Sequence, residues 1–139
     1  MIAPPDTPTR IAERAVDFVE RKFGVVLPYN PPSLILVDAI VDKIKATGAS
    51  EQQASGLLMG LGFYVGEVFV RNARATWRAT AEMRMSKVCT FPMVVALPGA
   101  VGCNPIGQVF ERFRAGDGAS VATFYQRTLA PPPVGARGH

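Results

Sequence analysis

Histidine is nearly missing from this chain: its 139 residues include one, His139, at the very end. That shortage argues against a triad built on a buried histidine, a His-ligated metal and a haem site. Cysteine is almost as sparse. Cys89 and Cys103 are too few and too far apart for a zinc site of paired spacing, and a nucleophilic thiol without a nearby histidine has no evident base. No Gly-rich phosphate cradle, nucleophile motif or recognition-helix pattern occurs. No metal and no cofactor is expected. The 15 Lys and Arg against 11 acids give a net charge of +4. That permits attraction to anionic partners, yet lacks the charge density of a dedicated nucleic-acid binder.

Long apolar runs are absent too. The longest, Leu57 to Gly66, is too short to cross a bilayer and is followed by Glu67, so no membrane partner is expected. The opening MIAPPDTPTR lacks a basic stretch leading into an apolar one, so a secretory signal is not expected and a cytoplasmic location is. Against these absences, 48% of the residues are apolar and 19% charged, the balance of a chain that folds around a core. The expected division is a single globular domain over residues 1–130 and a mobile Pro-rich tail over 131–139, where Pro131, Pro132 and Pro133 stand in a row.

Thr7 and Pro8 are suited to start a first helix, along which Ile11, Ala15, Val16, Phe18, Val19 and Phe23 recur at helical spacing before Gly24. After a linker with Pro28, Pro31 and Pro32, Ser33 is positioned to cap a second helix. Its inward residues are Leu36, Val37, Ile40, Val41 and Ile44, and its outward ones Asp38, Asp42, Lys43 and Lys45. Ser50 and Gln53 have the spacing of a capping box for a third helix that runs to about Arg71 or Asn72. This helix is apolar nearly all round and therefore central. Glycine costs about 1 kcal/mol relative to alanine inside a helix. Gly56 and Gly60 on one face, with Gly62 and Gly66 on another, thus imply close approach of other elements from two sides.

Beyond Asn72, Thr76 to Thr80, Val88 to Phe91 and Met93 to Leu97 read as strands. A turn at Pro98-Gly99 returns the chain through Val101 to Cys103, with Cys103 placed near Val94 and no disulfide to Cys89. Asn104 and Pro105 open a fourth helix, and Ser120 a last one through Leu129. The expected fold class is α+β: three N-terminal helices, a small antiparallel sheet of three or four strands, and two short C-terminal helices.

Glu67 and Arg71 are the charges that most need an explanation, being an acid and a base four residues apart on an otherwise apolar, glycine-rich helix. Either they line a cleft in which Arg71 holds an anion and Glu67 orients it or acts as base, with Tyr64 and Trp77 as neighbours, or they form a structural ion pair tying the helix to the strands. Trp77 is correspondingly a stacking surface or a packing wedge. Arg71, Arg74, Arg78, Arg84 and Lys87 fall in a stretch whose single acid is Glu82. Arg74, Arg78, Arg84 and Lys87 form either a basic patch for phosphates or an acidic partner, or a strand edge protected by charge.

Four segments together resemble a family of small bacterial domains of uncharacterised function. They are Ser33-Leu-Ile-Leu-Val-Asp38; Leu61-Gly-Phe-Tyr-Val-Gly-Glu67-Val, followed by Trp77; Asn104-Pro-Ile-Gly-Gln-Val-Phe-Glu-Arg-Phe113; and Ser120-Val-Ala-Thr-Phe-Tyr125. The resemblance spans about residues 33 to 129. It implies the architecture and a bacterial source, and supplies no activity. The leading functional expectation is a non-enzymatic protein-interaction module, of immunity type or accessory to another protein, with a homodimer as one possible form. The rivals are a small-anion binder or enzyme using Glu67 and Arg71, and weak nucleic-acid binding through Arg71 to Lys87.

Overall fold

Three of the α-helices begin where the sequence supplies a side-chain cap. In the structure, a computed structural model describing residues 7–87, 90–99 and 101–130, Ser50 and Gln53 form the reciprocal capping box that starts the long central helix. The Asn104 side chain accepts from the Gly107 N–H with Pro105 following, and Ser120 accepts from the Thr123 N–H. Gly24, Gly48 and Gly116, all at positive φ, close the helices they follow. The elements are α1 (Thr7–Phe23), α2 (Leu34–Ala46), α3 (Glu51–Ala73), β1 (Thr76–Ala79), β2 (Met93–Leu97), β3 (Val101–Cys103), α4 (Pro105–Ala115) and α5 (Val121–Leu129), with short 3₁₀ turns at Pro31–Ser33 and Gly116–Ala119.

The fold is α+β, with one antiparallel sheet in the order β1-β2-β3. Thr76 pairs with Ala96 and Ala79 with Met93, and Leu97 pairs with Val101 across the turn. The residue opposite Cys103 is Val95, one position from the expected Val94. The loop spans residues 98–100, three residues instead of the two assumed in counting outward from Pro98-Gly99. The expected strand at Val88 to Phe91 is not seen in its described part. Thr90 and Phe91 are irregular, while Val88 and Cys89 lie outside the described residues, as does the 131–139 tail.

α3 is the axis of the molecule. Leu61, Tyr64, Val65, Val68 and Phe69 are fully buried, enclosed by α1, α4, β1 and β2. Among the described residues it is the one helix long and apolar enough by composition to cross a membrane, and most of it lies buried in the fold. Its glycines explain how the neighbours come so close. A Cβ at Gly60 would lie 2.9 Å from that of Ala15 on α1, and one at Gly62 would lie 2.6 Å from the Cα of Ile106 on α4. A Cβ at Gly66 would collide with the ring of Trp77. Gly56 is different, for nothing among the described residues lies within 4 Å of where its Cβ would be.

Three expectations for the helices are corrected. Ser33 does not cap α2, since its own backbone is already helical; its hydroxyl turns inward to the Asn30 carbonyl and the Tyr64 hydroxyl. Asp38 faces inward, because the N-terminus of α5 docks on it. Leu36 faces solvent, as does Ile35, and Phe18 on α1 is 42% exposed.

The glycines of α3 make a sharp prediction. Gly62→Ala forces the Ile106 backbone to move and is expected to destabilise by about 1–3 kcal/mol. Gly56→Ala meets open space and is expected to stabilise by about 0.5–1 kcal/mol. Denaturant midpoints of the two variants check both signs.

Candidate functional site

Glu67 is 4% exposed on α3, so its charge must be met within the fold. Its Oε2 accepts from the Trp77 indole N–H at 2.9 Å, and its Oε1 lies 3.4 Å from Arg71 Nε. The indole reaches this position because Gly66 leaves its ring room and Phe63 packs beside it, with centroids 5.1 Å apart. Both carboxylate oxygens are therefore engaged, one by the sheet and one by the next helical turn.

Arg71 keeps a partly open face, with its side chain 41% exposed. Its guanidinium stacks over Tyr29 at 3.6 Å from the ring centroid. Tyr29 sits at φ 60 in the proline-rich linker, held there because its N–H donates to the Tyr64 hydroxyl and its carbonyl accepts from Asn72. The Tyr64 hydroxyl is also 2.6 Å from Ser33 Oγ, in a fully buried setting. The structure thus brings Glu67, Arg71 and Trp77 into direct contact, and joins Tyr64 to them through Tyr29. The Tyr29 hydroxyl is buried with no hydrogen-bond partner. Its pKa is pushed up from 10.0 to about 12, first by burial; Arg71 pulls the other way, and the charges of Glu13 and Glu67 add to the rise. The sequence reading passed over Tyr29; its signal was an aromatic residue set between Pro28 and Pro31-Pro32.

A second charge cluster was also missed. Arg112 on α4 is buried and makes a two-pronged pair with Asp42, Nε to Oδ1 at 3.0 Å and Nη2 to Oδ2 at 2.6 Å. It also donates to the Gly116 carbonyl and lies 3.6 Å from Asp38. Asp38 in turn accepts from Ser120 Oγ and the N–H groups of Val121 and Ala122, capping α5 from a distant helix. Burial opposes the charge on Arg112, but the Asp42 hydrogen bonds and the nearby acids outweigh it, so its pKa stands above the ordinary value. The signal was Arg112 lying between Val109 and Phe113, on the apolar side of its helix. This cluster binds elements together, and each guanidinium nitrogen of Arg112 donates within it. Among the described residues no group of acids, cysteines or histidines is arranged to hold a metal.

The basic residues separate. Arg74 caps α3 in the left-handed region at φ 57, and Arg74 and Arg78 line one groove of about 380 Å³ with Thr76, Glu82, Met83 and Pro98. Arg84, also left-handed, and Lys87 are exposed outside that lining. β1 is an edge strand. Cys103 is buried, which lifts its thiol to about 12. Another groove of about 380 Å³ runs between α1 and α3, lined by Ile11, Ala15, Phe18, Gly56, Leu57 and Gly60, with Arg14 the one charged residue among the described lining.

Two measurements check this geometry. Trp77→Phe keeps a ring but removes the donor to Glu67, and is expected to cost about 1–3 kcal/mol in denaturant unfolding. All three tyrosines, Tyr29, Tyr64 and Tyr125, have pKa values raised chiefly by burial. The unfolded chain then loses phenol protons first, so stability is full below pH 10 and declines as the pH rises from 10 towards 12. Thermal midpoints should fall over that window, and native absorbance should show less phenolate at pH 10 than the denatured chain. Compared with protein-family models, curated proteins and solved structures, the chain gives no match in any of the three.

Proposed function

We propose that this chain is a non-enzymatic protein-interaction module, accessory to or inhibiting another protein, that docks its partner in the groove between α1 and α3. The observation that carries the reading is Gly56. Gly60, Gly62 and Gly66 each make room for a neighbour, whereas Gly56 weakens its helix and makes room for nothing among the described residues. The space it leaves is the floor of an apolar groove, walled by Ile11, Phe18 and Leu57. A large side chain as exposed as Phe18 beside such a floor is the kind of apolar surface that binding covers.

The occupant is an amphipathic segment of a partner protein, bringing an apolar side chain to the floor and a carboxylate to Arg14. Among the described residues Arg14 has no ion pair, so that charge is available. The cytoplasm of a bacterial cell is the setting this reading assumes. It is also consistent with Glu67, whose two oxygens are committed to Trp77 and Arg71, leaving neither free for a substrate.

The test places a photo-crosslinking benzoylphenylalanine at Phe18 and compares wild-type and Gly56→Leu backgrounds in native cell extract. A protein crosslinked through an apolar and acidic segment, and lost when leucine fills the floor, is the expected result. Circular dichroism should show Gly56→Leu folded, with an unfolding midpoint no lower than wild type. Crosslinking only to a second copy of the chain, or a capture indifferent to Gly56→Leu, overturns the proposal.

A further inference from the structure

The outer face of the sheet carries a second groove that the α1–α3 reading does not use. Arg74 and Arg78 face it, Thr76 stands between them on β1, and Leu97, Pro98 and Met83 form its apolar walls. Arg74 makes no ion pair or side-chain hydrogen bond among the described residues. Arg78 has only Glu82, 3.7 Å away, with both side chains about half exposed. Such a pair contributes little to stability.

The choice of residue at position 74 is informative. At φ 57 and ψ 29 it closes α3 in the left-handed region, where glycine fits without strain, asparagine is tolerated, and other side chains are disfavoured. Arginine occupies it nonetheless, and its guanidinium finds no acid among the described residues. We infer that the Arg74–Arg78 groove binds an acidic peptide segment, a carboxylate held between the two guanidiniums with an adjoining apolar side chain against Leu97, Pro98 and Met83.

Charge and lining decide among anionic ligands. Two arginines in one lining suit a single carboxylate with its two oxygens. A nucleic-acid strand needs a row of cations and aromatic surfaces on which bases stack. Among the described residues the lining has no aromatic residue, and Arg84 and Lys87 lie outside it. An arriving carboxylate takes the place of Glu82 at Arg78. Glu82 keeps its other contact, accepting from the Ala79 N–H at 3.1 Å.

The experiment is a ¹⁵N NMR titration of the full chain with a blocked tripeptide of alternating glutamate and leucine. Inorganic phosphate and a twelve-nucleotide oligothymidine are the comparison ligands. The peptide is expected to give saturable shifts of the Arg74 and Arg78 side-chain N–H groups and of the Thr76 amide. Arg74→Gly, which suits the left-handed backbone, is expected to lower peptide affinity at least about tenfold. Its thermal midpoint should stay unchanged or rise. Arg78→Gln should weaken binding as well, and Glu82→Gln, which retains the acceptor for Ala79 while freeing Arg78, should tighten it. Arg84→Gln removes the same charge from outside the groove and should leave binding as it was. Equal weakening by Arg84→Gln would reduce the effect to diffuse charge and overturn the proposal. So would tighter binding of phosphate or oligothymidine at these residues, or an absence of saturable shifts.

Discussion

Everything in this fold leans on α3 having no solvent side over its middle turns. From Gly60 to Phe69 every residue is buried, so α1, α4 and the sheet must each pack against a different strip of the same helix. A helix carrying side chains all round holds its neighbours 8–10 Å away, roughly, axis to axis. Glycine removes that spacing locally. Gly60 admits Ala15, Gly62 admits the Ile106 backbone and Gly66 admits the Trp77 ring. The helix propensity surrendered at these positions is offset by apolar surface that α1, α4 and β1 bury against it.

Central packing of this kind leaves few places for charge, and the protein handles each buried charge by committing all of its partners. Glu67 spends one oxygen on Trp77 and the other on Arg71, which makes the pair a joint between helix and sheet. Arg112 divides its donors between Asp42 and the Gly116 carbonyl, and Asp38 satisfies the first N–H groups of α5. A buried ion pair of this sort gives little net stability over an apolar substitute, but removing one member leaves an uncompensated charge. The two clusters therefore fix which elements meet more than how firmly they are held. α5 sits on α2 because Asp38 is the acceptor its N-terminus needs, and the linker before α2 turns back on α3 because Tyr64 and Asn72 hold Tyr29.

Local signals were legible in the sequence, and pairings between distant segments were not. The capping box at Ser50 and Gln53, the Asn104-Pro105 helix start and the glycine stops are written within a few residues, so the helices stand where periodicity puts them. The glycine pattern of α3 likewise announced the close approaches at Gly60, Gly62 and Gly66, since propensity makes each such glycine costly, but the approach expected at Gly56 is not there among the described residues. Ser33 was misread because a serine before an apolar run looks like a cap, whereas its hydroxyl has a better partner in Tyr64, 31 positions away. Asp38 was misread as a solvent-facing charge because its partners lie 82 to 84 positions downstream. The one-residue error in hairpin register follows from a three-residue loop where a two-residue one was counted. At the candidate site, Glu67, Arg71 and Trp77 could be found from spacing alone. Tyr29, which stacks on Arg71 and links Tyr64 to the rest, could not.

Residues that run against their own backbone preference then divide into two kinds. Gly62 and Gly66 are explained within the molecule, since a contact visible in the fold requires each of them. Gly56 and Arg74 are not. One is a glycine in a helix with open space where a side chain would stand, and the other a long cationic side chain where glycine would fit better. Each weakens the fold slightly in isolation, and each borders a groove, apolar between α1 and α3 and cationic on the sheet. A conformational cost with no return inside the fold is a physical reason to look for its return outside, because local preferences otherwise tend to agree with the structure they serve. Glu67 and Arg71 show no such cost. Their charges are matched within the fold, the acid buried and fully bonded, and the helix they occupy gains its attachment to the sheet through them.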